Sequence, residues 1–254
     1  MAGRHLAAAG LAAGAVAAAA VVLLLAAGGA RETGPGPSAR AADEASRTAA
    51  QPAQRGPRPP LGAQLLRRVQ LRERPGGRVV RTLGPRTGYD SRRVLAVVAR
   101  RGDWLGVLSH HMPNSRAGWI PAAAARLLHE PYTLQVDLSA RRLVVRREGR
   151  VVRRIRVAVG RPGTPTPTGR FAITDALRTS RAGGPYGCCA LALTGRQPNV
   201  PQGWTGGDRI AIHGTPDEAT LGTRASSGCV RASDRAMRWL LERVPLGAPV
   251  RIRA

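Results

Sequence analysis

Alternation of apolar and polar residues with a period of two is the feature that most limits what this chain can fold into. Tyr132, Leu134, Val136 and Leu138 fall on one face of an extended segment, and Thr133, Gln135 and Asp137 fall on the other. Successive side chains on a strand point to opposite faces, so the pattern predicts a strand with one face buried. After the turn LSA, Leu143 to Val145 form a second strand. After REG, the alternating run Val151, Arg153, Ile155, Val157 and Val159 forms a third, with a solvated arginine face. Three such segments joined by short turns make a β-meander.

The rest of the C-terminal half keeps this character. GRPGTPTPTGRFAI carries Pro162, Pro165 and Pro167, which a central strand cannot hold. It reads as a stiff loop leading into a strand near Arg170. AGGPYGCCALALTG is a second loop entering a strand, and DRIAIHGT is a short apolar strand ending at His213. One helix is expected over SDRAMRWLLERV: Met237, Leu240, Leu241 and Val244 recur at helical spacing, Ser233 caps the start, and Pro245 ends it. APVRIRA closes the chain as an edge strand.

Residues 61–128 are built of shorter apolar alternations cut by PGG, RGD and PNS. Val69 and Leu71, Val79 and Leu83, then Val94, Ala96 and Val98, then Trp104 to Val107 and Trp119 to Ile120 predict a small barrel of about five strands. Trp104 and Trp119 are read as core, and His110 and His111 as exposed loop residues without metal-ligand partners. LRERPGGRVVRTL, DWLGV and AGWIP resemble the bacterial SH3-like domains of cell-wall proteins.

The N-terminal part differs in kind. Arg4 and His5 precede an apolar run from Leu6 to Ala30, the layout of a signal peptide or an N-terminal membrane anchor, so residues 1–30 direct export. Residues 31–60 are rich in Pro, Ala, Gly and charge, lack apolar periodicity, and read as a disordered linker. The expected location is the cell envelope, outside the cytoplasm, with membrane contact through residues 6–30.

Net charge is +25, and every one of the 40 basic side chains is arginine. The arginines run along the whole chain, so they do not mark a patch. Nucleic-acid binders add stacking aromatics or a recognition element, and here aromatics are 3 % of residues with no such motif. An anionic cell envelope is the better partner for this field.

Chemistry concentrates in ASSGCVRAS, residues 225–233, which holds one of three cysteines. Cys229 is a nucleophile, half of a disulfide, or a small buried hydrophobe. A thiolate needs a base or a positive charge to form it. His213, just past the preceding apolar strand, is the candidate base. No Asp or Asn sits at a spacing that would orient its ring, which leaves a backbone carbonyl near Gly214. Gly228 allows a tight bend, and the N–H groups of Gly228 and Cys229 form a candidate oxyanion hole. Arg231 adds positive charge beside the thiol and a grip for a substrate carboxylate.

IAIHGT followed by SSGCVR resembles the catalytic signature of the L,D-transpeptidase family, the YkuD-like cell-wall enzymes. VDLSARRLVV, VAVGRPGTPTPTGRFAI and YG with ALAL fit the same family in the same order, so the resemblance covers about residues 130–254. Many members carry His where this chain has Ser227. The resemblance implies a mainly β protein: a small SH3-like barrel at 61–128, then a β-sandwich-like catalytic domain at 129–254 with a short C-terminal helix. It implies Cys229 as nucleophile and His213 as base, with Ser226, Ser227, Gly228 and Gly214 shaping the turn and oxyanion hole. Arg231 then supports the site or the substrate. Apart from the resemblance, Tyr186 and Trp204 either line the cleft or pack in the core or a loop. The expected substrate is a peptidoglycan tetrapeptide stem. The expected reaction is a two-step acyl transfer that releases D-alanine and joins stems by a 3→3 link. Water as acceptor makes it an L,D-carboxypeptidase. No metal or organic cofactor is called for.

Cys188 and Cys189 are adjacent. Disulfide geometry disfavours pairing between neighbours, so the main reading is two ordinary small residues, with pairing of one of them in an oxidising envelope as the alternative. Two rivals remain at this level: a catalytically inactive wall-binding protein, and a cysteine peptidase or amidase of another fold, which would lack the upstream motifs.

Overall fold

Seventeen strands and one α-helix carry the described residues of this computed structural model, which are 60–179, 184–200 and 207–254. The expectations for residues 1–30, for the linker short of Pro60, and for Trp204 lie outside them. Among the described residues no helix is long and apolar enough to cross a membrane.

The first domain is a seven-stranded antiparallel sheet. Its strands are β1 (Leu61–Leu65), β2 (Val69–Arg72), β3 (Val79–Leu83), β4 (Val94–Arg101), β5 (Trp104–Leu108), β6 (Ala117–Pro121) and β7 (Ala125–His129), in the order β3-β2-β6-β5-β4-β1-β7. Two strands exceed the expected five. β1 and β7 pair with each other from the two ends of the domain, Leu61 opposite His129 and Leu65 opposite Ala125, a contact between distant segments that local alternation does not reveal. Leu71, Leu83, Leu105, Val107 and Ile120 fill the interior. Trp119 is buried as expected, under the guanidinium of Arg101.

The second domain is an eight-stranded mixed sheet that holds β8 (Tyr132–Asp137), β9 (Arg142–Arg147), β10 (Arg150–Arg156), β12 (Gly169–Arg178), β13 (Cys189–Arg196), β14 (Arg209–His213), β16 (Val230–Arg231) and β17 (Pro249–Arg253). The order is β10-β9-β8-β17-β12-β13-β14-β16. A separate parallel pair joins β11 (Val159–Gly160) to β15 (Arg224–Ser226). The mainly β class and the meander β8–β9–β10 are as expected. The helix α1 (Asp234–Arg243) lies where its periodicity puts it, with Ser233 Oγ accepting from the Ala236 N–H and Met237 and Leu240 buried. Phe171, Ile173, Leu191, Leu193 and Ile212 form the core that α1 closes.

Two strand expectations need correction. β17 is central, between β8 in parallel and β12 antiparallel. Val250 and Ile252 are both buried there, and Pro249 is tolerated because it is the first residue of the strand. The run from Val151 to Val159 is broken: a register shift follows Val151, and the chain leaves the sheet before β11 crosses to β15. The arginine face of β10 is wet as expected, except that Arg153 lies over the Trp239 ring at 4.8 Å.

The two domains meet closely. Ala96 and Leu108 of the first pack on Ala172 of the second. Asn114 exchanges hydrogen bonds with the Arg196 backbone at 2.7 and 2.9 Å, and Arg196 Nε donates to the His110 carbonyl at 2.8 Å. His110 and His111 are therefore half-buried at this contact, their rings 4.0 Å apart, where an exposed loop was expected. Burial holds His110 down to about 3 and His111 to about 4, neutral at physiological pH.

Glu130 sits at the junction, 2 % exposed, its carboxyl fitted against Gly62 and Gly247, one glycine from each domain. Its Oε2 has no hydrogen-bond partner, and burial pushes the carboxyl up to about 7. The folded state thus prefers the protonated acid. That preference contributes fully below the ordinary carboxyl value and is lost as pH rises through about 7. Glu130→Gln should remove the loss. Between about pH 4.5 and 8 the native protein should lose up to about 3 kcal/mol relative to the variant in urea unfolding. Parallel stability curves for the two proteins would disprove this origin.

Candidate active site

Strand register brings the predicted pair together. β14 and β16 run parallel, with Ile212 opposite Val230 and His213 opposite Arg231. Side chains two apart on a strand share a face. His213 and Arg231 therefore project to one side, and Cys229, the residue before β16, joins them over Ala211. The Ala232 N–H bonds to the His213 carbonyl at 2.9 Å and fixes the register beyond the pair. Cys229, His213 and Arg231 line one cleft of about 180 Å³.

His213 is 3 % exposed, and its Nδ1 lies 2.6 Å from the Gly214 carbonyl oxygen. A carbonyl only accepts, so Nδ1 carries the proton and Nε2 keeps its lone pair. The backbone orienter expected near Gly214 is the one the chain uses. Gly214 has a second reason to be glycine: a Cβ there would collide with Asp234 Oδ1. Burial pulls the imidazole down to about 4, the Gly214 bond opposes this, and the Arg231 charge adds to it. Burial raises the Cys229 thiol, against a backbone hydrogen bond with Ala211 and the Arg231 charge, which both lower it. The resting pair is neutral thiol and neutral imidazole.

Ser226 holds the turn that presents Cys229. Its hydroxyl donates to the Cys229 carbonyl and accepts from the Gly228 N–H at 3.2 Å. The Gly228 N–H is thus engaged by Ser226, which leaves the Cys229 N–H as the candidate oxyanion donor of the expected two. Gly228 has φ 116°, a conformation glycine adopts readily, and a Cβ there would come within 2.6 Å of Gln197 Nε2. Ser227 lines the cleft. Tyr186 stands edge-on to His213, ring centres 5.0 Å apart, at the cleft mouth. Its phenol is raised chiefly by burial, then by the nearness of Cys229 and Tyr89.

Cys188 and Cys189 are joined in a vicinal disulfide, which corrects the reading of two ordinary small residues. The turn that precedes them is closed by the Gly187 N–H on the Gly184 carbonyl at 2.9 Å. Cys229 is left as a free thiol. Among the described residues no cluster of His, Cys, Asp and Glu could hold a metal ion.

Four contributors escape a reading of the sequence alone. Gln197, 2 % exposed, bonds to the Pro165 carbonyl and accepts from the Asn199 N–H at 2.9 Å, tying the proline loop to the cleft beside Gly228. Asp234 takes the Cys188 N–H at 3.0 Å and so holds the Tyr186 turn against the start of α1. Arg209 and Asp208 line the cleft from β14 and the residue before it. Each acts across sheet neighbours far apart in sequence. Only Asp234, next to the recognised cap Ser233, carries a local signal.

Residues 131–252 match the model of the YkuD family, the L,D-transpeptidase catalytic domain. Over 122 residues the chain is 33 % identical to a protein of Bacillus subtilis (strain 168) named as a candidate L,D-transpeptidase YkuD, covering 48 % of this chain and 66 % of that one. A relative of the same name from Bacillus licheniformis gives the same identity and coverage. The chain spans just under two thirds of the length of these relatives. Among solved structures, an L,D-transpeptidase from Mycobacterium smegmatis is 16 % identical with a TM-score of 0.42, covering 65 % of this chain and 92 % of that one.

A raised thiol beside a neutral imidazole has a direct readout. Alkylation of Cys229 by iodoacetamide should still be accelerating with pH above about 8.5, the ordinary thiol value. A rate already level by about pH 7 would mean a preformed thiolate and contradict the buried neutral pair.

Proposed function

Because residues 131–252 match the model of the YkuD L,D-transpeptidase catalytic domain, we propose that the protein is a peptidoglycan L,D-transpeptidase working through an acyl-enzyme on Cys229. The observation that carries this reading is the β14–β16 register, which sets thiol, imidazole and guanidinium on one face of one cleft. The substrate is a tetrapeptide stem. His213 Nε2 takes the thiol proton as sulfur attacks the carbonyl carbon of the third residue. The Cys229 N–H faces the developing oxyanion. The C–N bond to the terminal D-alanine breaks, and imidazolium returns the proton to the leaving amine. A thioester remains. A side-chain amine of a second stem then loses its proton to His213 and attacks the thioester. The C–S bond breaks, the thiol regains its proton, and a 3→3 link results. Cysteine acylation of this kind calls for no metal or organic cofactor.

Arg231 serves the substrate in this scheme. It lines the cleft with Cys229 and His213, a positive group suited to a stem carboxylate. The first domain is read as the SH3-like module, and residues 1–30 as the segment that delivers the enzyme to the cell envelope.

Intact-mass measurement after exposure to a carbapenem tests the reading. The native protein should gain one covalent adduct and Cys229→Ala none. D-alanine release from a tetrapeptide stem should fall at least about 1,000-fold in Cys229→Ala. Absence of both adduct and release from the native protein would favour a wall-binding module over an enzyme.

A further inference from the structure

A loop of the first domain, residues 84–93, is bound more tightly than its exposure suggests. Thr87 Oγ1 accepts from the N–H groups of Tyr89 and Ser91, each at 3.2 Å, while the Thr87 N–H reaches the Ser91 carbonyl at 2.9 Å. Arg86 donates to the Asp90 carbonyl at 2.6 Å and pairs with its carboxylate at 3.1 Å. Arg93 donates to the carbonyls of Gly84 and Arg86 at 2.8 and 2.7 Å. A loop held by this many bonds is a fixed platform, and at its tip it shows solvent a tyrosine, Tyr89, 59 % exposed.

The platform is anchored to the catalytic domain. The Thr87 hydroxyl donates to Asp175 Oδ1, and Asp175 is fully buried. Its other oxygen lies 3.5 Å from Arg209 Nη2, and Arg209 lines the cleft. Arg209 is held further by Thr174 Oγ1 at 2.5 Å and the Leu193 carbonyl at 3.2 Å. This chain of contacts sets the loop beside the mouth of the cleft. Tyr89 is close enough to Tyr186 for the two phenols to act on each other electrostatically, as Tyr186 and Cys229 do.

The cleft itself holds about 180 Å³, against the roughly 300–1,000 Å³ of sites that enclose a drug-sized ligand. A volume of this size suits the residues around the scissile bond of one stem, and an acceptor amine then reaches the thioester from the rim. We propose that Tyr89 is a substrate-binding residue for that acceptor stem, so that the first domain builds the acceptor side of the site. The proposal rests on the transpeptidase reading above. A tyrosine suits the part: its ring packs on the aliphatic portion of an amine-bearing side chain, and its hydroxyl bonds to peptide groups.

The full chain, Tyr89→Ala and Tyr89→Phe are compared in three assays: carbapenem adduct formation, D-alanine release from a tetrapeptide stem alone, and cross-linking against rising concentrations of an acceptor stem. The first two should stay within about twofold in both variants. KM for the acceptor should rise about five- to tenfold in Tyr89→Ala, with Tyr89→Phe close to the native protein. An unchanged acceptor KM in Tyr89→Ala, with the adduct still forming, would overturn the assignment and leave the transpeptidase reading in place. An equal fall in donor reaction and cross-linking would also overturn it, because the residue would then serve the donor or the structure. A native protein that forms no adduct and releases no D-alanine would sink the parent reading, and this inference with it.

Discussion

The parallel pairing of β14 with β16 is the constraint on which the site depends. Two hydrogen-bonded strands hold His213 opposite Arg231, and the turn before β16 places Cys229 one step back on the same face. A slip of one residue would turn Cys229 and Arg231 to the opposite face, because side chains alternate along a strand. The chain guards the register from both ends. The Ala232 N–H on the His213 carbonyl fixes it downstream, and Ser226 closes the turn upstream through the Cys229 carbonyl and the Gly228 N–H. Ser226 is thus a positioning residue, and its hydroxyl commits both its hydrogen-bonding roles to the backbone of the turn.

Burial sets the electrostatics of the pair. It raises the thiol and lowers the imidazole, so the neutral form is preferred on both sides. Arg231 lowers both groups. For a proton moving from sulfur to nitrogen the two effects oppose: the guanidinium favours the thiolate and disfavours the imidazolium. Its charge is therefore a weak promoter of the ion pair.

What can be read from the sequence is what local order dictates. Period-two alternation reveals β8, β9 and most of β10. Helical spacing with Ser233 and Pro245 locates α1 nearly to the residue. The His213 and Cys229 pair is legible because both sit at strand ends close together in the chain, in motifs that resemble one family. The misses share a physical cause. β17 reads as an edge from its local pattern, yet its two neighbours, β8 and β12, come from the start and the middle of the second domain. The pairing of β1 with β7 spans the whole first domain. Gln197, Arg209 and Asp234 touch the site across the sheet, and no spacing rule links them to Cys229. The half-buried His110 and His111 look exposed in the sequence because the surface that covers them belongs to the other domain.

That inter-domain surface bears on why the two domains stay joined. Asp175 is a fully buried carboxylate whose partners come from both sides, Thr87 from one domain and Arg209 from the other. Separating the domains would strip Asp175 of the Thr87 hydroxyl and expose the face where Ala172 meets Ala96 and Leu108. It would also free Arg196 from His110 and Asn114. Arg196 in turn pairs with Asp208 at 2.9 Å, and Asp208 and Arg209 both line the cleft. Two independent routes therefore run from the first domain to the same wall, one through Asp175 to Arg209 and one through Arg196 to Asp208. A domain that served only as a spacer would need neither. The convergence of both on adjacent residues of β14 and its approach ties the shape of the cleft to the docking of its neighbour.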